Sequence, residues 1–462
     1  MSSVNHIAQR SCGAVIICFI LFSCNSNKLN SYQELRNSVN RIRIVDTHEH
    51  FAPESDRSGL KIDFFTLAIG YLQADMISSG MTDSELAFML DDKNLPAERW
   101  KIFDSYWGNV RNTGYGKCFS YTIRDLFGID SVNERSFTAI DRKMKDSMAD
   151  TEWYKHVLKD VSMIDVSIVD PLGKNAENVE NYPAGFFVRV RRFDNFVQVN
   201  RTTIRDLGEK YGLEINSLDT YLKALDMAFD KAVNDDGIIG IKSGLAYSRI
   251  MYFEDTPREK AEALFIKYIH NQALSKEEKK ALDDFMMHQV VERAEEYNLP
   301  VQIHTGILSR NFNNSNPIEN TNAAHLSNLF LKYRRAKFVI FHGSYPYMAE
   351  LSYLAKHYPN VYIDMCWMYI ISPPASKIYL KEWLNTVPSN KIMGFGGDCS
   401  VEWAAGHSKM AREIITEVLI NMINEGSLSE TEAIEIAERL LRKNAIDLYK
   451  LENMNGNWIS KR

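Results

Sequence analysis

Cysteine is scarce in this chain, six in 462 residues, and no C-x-x-C pair occurs, which excludes a zinc knuckle. Three of the six, Cys12, Cys18 and Cys24, crowd into the N-terminal apolar stretch. The remaining Cys118, Cys366 and Cys399 are an odd, widely spaced set, which excludes a disulfide framework. No Lys/Arg run or basic helix stands out and the formal net charge is -6, which points away from a nucleic-acid partner. No internal repeat or low-complexity block is visible, so the chain is not a solenoid or array. The apolar run from Cys12 to Phe22 is too short to span a bilayer as a stable helix. What remains is the composition of a globular protein with a sizeable core: 45% hydrophobic and 25% charged.

The N-terminus differs from the rest. Arg10 precedes the apolar run, which suits the h-region of a secretory signal and ends in Leu21-Phe22-Ser23-Cys24. This resembles a bacterial lipoprotein signal, and the resemblance implies that Cys24 is acylated and becomes the mature N-terminus. Residues 1–24 are then the signal and 25–40 a polar tether. Lipid would hold the protein to a membrane of the bacterial cell envelope without a transmembrane helix. An ordinary cleaved signal and an uncleaved hydrophobic N-terminus are the alternatives.

Short apolar runs alternate with helical patterns through most of the remaining chain, the habit of a parallel sheet with crossover helices. The pattern predicts strands at 42–46, 161–169, 185–190, 238–242, 301–304 (opened by Pro300), 338–342, 361–364 and 392–396. It predicts helices at 217–233 with Ser217 as cap, 276–297, 320–334, 346–357, 405–424 and 430–450. Eight strands with intervening helices predict a (β/α)₈ TIM-type barrel over residues 41–450 with a C-terminal helical tail, followed by a short end at 451–462. A barrel needs about 250 residues. The excess lies at 52–160, rich in helical signal and in aromatics such as Trp100, Tyr106, Trp107 and Tyr115. It reads as an insertion after the first strand, on the catalytic rim; a separate helical domain is the alternative.

The segment Ile44-Val45-Asp46-Thr47-His48-Glu49-His50-Phe51 carries the chemistry. In a strand, side chains at i and i+2 share a face, so His48 and His50 reach one point together while Glu49 faces away. His304 ends the fifth predicted strand and His342 the sixth, and Asp398 follows the eighth after Gly396-Gly397. In a parallel barrel all strand ends open on one face, so these residues converge although far apart in the chain. Imidazoles and a carboxylate converging there form the donor set of a divalent metal, Zn²⁺ first.

These motifs, with I-H-T-G at 303–306, F-H-G-S-Y-P-Y at 341–347, N-V-Y-I-D at 360–364 and F-G-G-D at 395–398, resemble the amidohydrolase superfamily, in its amidohydrolase-related (amidohydrolase 2) branch. Residues 240–249 are similar to the fourth-strand region of amidohydrolase domains fused to some glutamine-synthetase-like proteins. The resemblance implies that His48, His50, His304 and Asp398 hold a metal. It also implies that His342 is catalytic or a ligand to a second metal, and that Lys242 stands where binuclear members bridge two ions. One ion is favoured over two. Asp398 is the expected general base and acid, and His342 the group that polarises a carbonyl.

Further candidates surround this set. Arg249 is an expected clamp for a substrate carboxylate, and Tyr345 and Tyr347 expected pocket residues. Trp403 and His407 are expected near substrate, and Cys399 as a small buried residue. Arg189 and Arg191 alternate with Val188 and Val190, which would turn two cations into the barrel or its rim. The expected function is a metal-dependent hydrolase cleaving a C–N or C–O bond in a small molecule. A metal-dependent decarboxylase on the same site and a non-catalytic binding lipoprotein are the alternatives. The oligomeric state is left open.

Overall fold

The computed structural model describes residues 32–57, 59–173, 182, 185–309, 316–397, 400–454 and 457–460. The sequence candidates Cys24, Asp398 and Cys399 lie outside the described residues. Eight strands follow one another around a barrel: β1 (Ile44–Glu49), β2 (Ile164–Val169), β3 (Phe187–Arg192), β4 (Gly240–Ser243), β5 (Val301–Ile303), β6 (Phe338–Ile340), β7 (Val361–Asp364) and β8 (Ile392–Met393). Each pairs in parallel with the next, in the order β1 to β8. The ring is drawn together where the Thr47 amide and hydroxyl donate to the Phe395 carbonyl, at 3.1 and 2.9 Å. The strands are buried on both faces, as a parallel sheet covered by helices requires. Among the described residues no helix is long and apolar enough to cross a membrane.

Several boundaries differ from the sequence reading, for physical reasons. Residues 32–41 form a helix, α1, whose Leu35 and Val39 are buried in the core. Residues 32–40, predicted as part of a polar tether, are therefore helical, because two apolar side chains one helical turn apart suffice to dock them. The strands at 338 and 392 stop two to three residues early, because the chain turns at the barrel mouth. Residues 320–334 form 3₁₀ turns and a short helix rather than one helix. Residues 451–460 pair as a hairpin, β9 (Leu451–Met454) with β10 (Asn457–Ser460).

Between β1 and β2 the chain builds a helical layer: α2 (Phe64–Ser78), α3 (Asp83–Leu90), α4 (Pro96–Val110), α5 (Gly114–Phe127) and α6 (Phe137–Ser147). Its starts are written in the sequence. Asp63 with Thr66 and Thr82 with Glu85 form reciprocal capping boxes, and Pro96 opens α4. Phe64, Trp100, Phe103, Phe119 and Phe137 form its core, with Trp100 stacked on Phe137 at 4.7 Å. The layer docks on the long helix after β8, here α7 (Trp403–Asn424), where the Trp403 indole donates to Leu67 O at 3.0 Å.

A buried ion pair fixes the same junction. Arg57 and Glu402, 3% and 2% exposed, meet at 2.6 Å, and the Trp153 indole donates to the same carboxylate oxygen at 2.9 Å. Removing one partner leaves the other charged in a dry site. The Arg57→Met protein is therefore expected to lose about 3–5 kcal/mol of stability, read by denaturant unfolding.

His288 gives the fold a pH dependence. It is buried, with Nε2 donating to Phe253 O at 3.2 Å and Nδ1 3.0 Å from the Tyr333 hydroxyl. Burial, then the charge of Lys332, holds its pKa below the usual histidine value. A depressed folded-state pKa contributes stability above the unfolded value of about 6.5 that is lost as pH falls through the folded value. The melting temperature is expected to drop between pH 6.5 and 5, and to drop less in His288→Gln, which keeps a donor for Phe253 O.

Candidate active site

The residues of the barrel mouth gather in two groups that touch. In the first, His48 and His50 leave β1 with their rings edge to face at 4.6 Å. His50 Nδ1 donates to the Asp170 carbonyl at 2.8 Å and lies 3.8 Å from the Asp170 carboxylate. His48, His50 and Asp170 each offer one ligand atom within 4.8 Å of the others. Lys242, at the end of β4, is 3.3 Å from His48 Nε2 and lies over the Phe341 ring at 3.8 Å.

In the second group, His304 and His342 face each other, Nδ1 to Nε2, at 3.0 Å. Their outer nitrogens both meet carbonyls: His342 Nδ1–H donates to Cys366 O at 3.1 Å and His304 Nε2–H to Ile307 O at 2.8 Å. A carbonyl only accepts, so in two neutral rings both facing nitrogens carry lone pairs. The contact therefore calls for a shared proton or a shared cation. Burial, then His342 and Lys242, hold the His304 pKa well below the usual range, and burial and Lys242 do the same for His48. Neutral imidazoles at neutral pH are what a divalent metal requires of its ligands.

Backbone geometry puts His342 there. His342, Gly343 and Ser344 all have left-handed φ, 61°, 52° and 55°. Such a conformation in histidine is costly and persists only where the surroundings over-determine it. Gly343 has no room for a side chain, since a Cβ would fall 2.1 Å from Met368 Sδ.

Two carboxylates lie beneath the ligands. Asp46, two residues before His48, accepts from Gly397 N at 3.1 Å and Ser167 Oγ at 2.9 Å, tying β1 to β2 and to the segment after β8. Asp364 accepts from Cys366 N at 2.8 Å. Burial pushes both up to about 7.

Above this floor opens a cavity of about 760 Å³. One side carries His50, Arg192 and His304, with Tyr247 and Tyr345 beside them. Its aromatic side carries Tyr71 and Tyr115 of the helical layer with Trp367 and Trp403. Tyr71 stacks on Tyr115 at 5.2 Å. The layer after β1 is thus one wall of the cavity.

Of the residues singled out in the sequence, His48, His50, Lys242, His304 and His342 come together, and Tyr345 and Trp403 line the cavity. His407 holds the Gly397 carbonyl at 3.0 Å. Arg249 is not brought to the cavity: its guanidinium pairs with the buried Asp284 and caps the Phe253 ring. Arg189 and Arg191 face away from the mouth, Arg191 pairing with Asp236 at 3.2 Å. The residue that reaches the mouth is Arg192, which grips Asp170 through Nε and Nη2, both at 2.9 Å or less from Oδ2. Sequence reading missed Asp170, Arg192, Asp46 and Asp364. Asp170 carried the signal that marked His304, a polar residue ending an apolar strand.

Residues 272–451 match the family model described as amidohydrolase. The chain is 30% identical over 234 residues to the protein fluG of Emericella nidulans, a match covering 48% of this chain and 26% of that protein. It is 23% identical over 265 residues to the uronate isomerase of Thermotoga maritima, covering 52% and 55%. The chain thus matches about a quarter and about half the length of these curated relatives. Among solved structures, the Thermotoga maritima uronate isomerase superposes with a TM-score of 0.74 at 19% identity, over 91% of this chain and 97% of that one. The Caulobacter crescentus glucuronate isomerase superposes at 0.75 and 19%, over 92% and 94%. With histidines at the mouth of an eight-stranded parallel barrel, and with residues 272–451 matching that family model, the chain is similar to the amidohydrolases over the part that carries β5 to β8.

Proposed function

We propose that the protein is a metal-dependent hydrolase acting on a small polar molecule. The observation that carries this reading is the meeting of His48, His50, Lys242, His304 and His342 at one barrel mouth beneath a cavity of about 760 Å³. His48 and His50, with His304, His342 and Asp398, would hold a divalent ion, Zn²⁺ first. The ion would supply Lewis acidity toward a substrate carbonyl and toward water. The facing nitrogens of His304 and His342 are the lone-pair donors such an ion would take up, and the leaving group would receive its proton from Asp398. Asp398, next in the chain after Gly397, takes the proton of the attacking water. Arg192 and Tyr345 orient the substrate, and the wall of Tyr71, Tyr115 and Trp367 excludes bulk water.

A second reading is an isomerase. It is favoured by superposition on the two uronate isomerase structures over nine-tenths of this chain. Moving a proton between adjacent carbons would call on the same acid–base groups. Product mass separates the readings. Incubation of the metal-loaded protein with lactone, amide and uronate panels is expected to yield a product heavier by one water. An unchanged mass with deuterium incorporated from D₂O would replace hydrolysis by isomerisation, and release of carbon dioxide would replace it by decarboxylation.

We also propose lipid attachment at Cys24. Fatty-acid labelling and detergent-phase partition are expected in the bacterial host and lost in Cys24→Ser.

A further inference from the structure

On the outer face of β3, none of the described residues between Val169 and Phe187 lies in an α-helix. The C-terminal hairpin packs there instead, through Trp458 and Ile459. Between hairpin and barrel lies a cavity of about 540 Å³ lined by Tyr182, Phe187, Arg189, Val233, Asp236 and Trp458. That volume falls within the roughly 300–1,000 Å³ of small-molecule sites. Arg189 and Arg192 are three apart on one strand and so face opposite sides, which sets this cavity on the barrel's outside, away from the mouth.

Arg189 is the unusual member. The residue is 9% exposed, yet among the described residues its guanidinium makes one hydrogen bond, to the Asp236 carbonyl oxygen at 3.3 Å. The neighbouring carboxylate is already taken: Asp236 is held by Arg191 at 3.2 Å and Lys231 at 3.0 Å. Among the described residues, five N–H donors with a single carbonyl partner leave a buried cation whose nearby counter-charge, Asp236, is already engaged by others. Its burial accordingly draws the guanidinium pKa below its ordinary value, with Asp236 opposing. Beside Arg189 and Asp236 the lining includes the rings of Tyr182, Phe187 and Trp458. Trp458 is 5% exposed, and the Tyr182 hydroxyl is committed to Phe51 O at 2.7 Å, so its ring is what remains to meet a ligand.

We infer that this cavity is a second ligand site, separate from the barrel mouth, which takes a small organic anion: a carboxylate on Arg189 with a flat apolar body against Trp458, Phe187 and Tyr182. A planar guanidinium matches a carboxylate through two parallel hydrogen bonds. The ring faces favour an aryl or similar body.

The test uses full-length protein and 4-fluorobenzoate, followed by ¹⁹F NMR titration. Saturable binding is expected in the wild type and in Arg192→Gln. Binding at least about tenfold weaker is expected in Arg189→Gln, which removes the charge. The same loss is expected in Val233→Trp, which fills the cavity while keeping Arg189 and so serves if Arg189→Gln does not fold. 4-Fluorobenzylamine, of like shape and opposite charge, is expected not to bind. The inference is overturned by no saturable benzoate binding, by wild-type affinity in both cavity variants, by loss in Arg192→Gln alone, or by equal binding of the amine.

Discussion

His48→Ala is expected to purify without the divalent metal proposed for the wild type, and with activity lowered by more than the roughly 100-fold that losing a group behind a ligand costs. His48 and His50 share a ligand-distance cluster with Asp170, and the Asp170 charge is already paired with Arg192. The two imidazoles are therefore the donors that β1 contributes. Taking one away leaves the His304–His342 pair, whose lone pairs can share a proton instead of an ion. The fold is expected to survive, because the β1–β8 closure runs through Thr47 and Asp46 rather than the ring of His48. Elemental analysis of the purified variant, with a thermal melt, checks both halves. Wild-type metal content in His48→Ala would remove the proposed centre.

Gly406→Val is expected to detach the helical layer from the barrel. Gly406 lies on α7 where it crosses α5, and a Cβ there would fall 2.2 Å from the Cys118 carbonyl oxygen and 2.6 Å from Thr122 Oγ1. A hydroxyl can rotate away; a carbonyl inside a helix cannot, so the helices must separate. Overpacking usually costs about 1–3 kcal/mol, and a backbone clash belongs at or beyond the upper end. The loss should be local. Limited proteolysis is expected to cut within residues 64–147 first, while the barrel resists. Gly108→Ala is the control, in helix α4 with nothing within 4 Å of the new Cβ. It is expected to stabilise by up to about 1 kcal/mol through helix propensity. Equal thermal melts for Gly406→Val and wild type would show that the close approach is not needed.

The same two sites show how far local reading reaches. His48, His50, His304 and His342 were legible because each ends an apolar run, and a parallel barrel sends all such ends to one face. Asp170 obeyed the same rule and was passed over, since a carboxylate before proline also reads as a turn. Arg192 was missed by one position. Strand alternation offers two phases, and only pairing of β3 with β2 and β4 decides that Val188, Val190 and Arg192 share the inner face. Arg249 misled because a loop arginine carries no local mark of its partner, here Asp284, 35 positions away.

What the amino-acid order by itself determined is the class of fold, the run of strand ends and the histidines placed on them, because period-two and helical spacing act over a few residues. Only tertiary structure decided that His304 and His342 meet at 3.0 Å, that the helical layer walls the cavity, and that Arg192 rather than Arg191 or Arg249 faces it. Those outcomes depend on which phase each strand takes and on how closely helices approach at Gly406. Both are fixed by contacts between segments well separated in the chain, which no local pattern records.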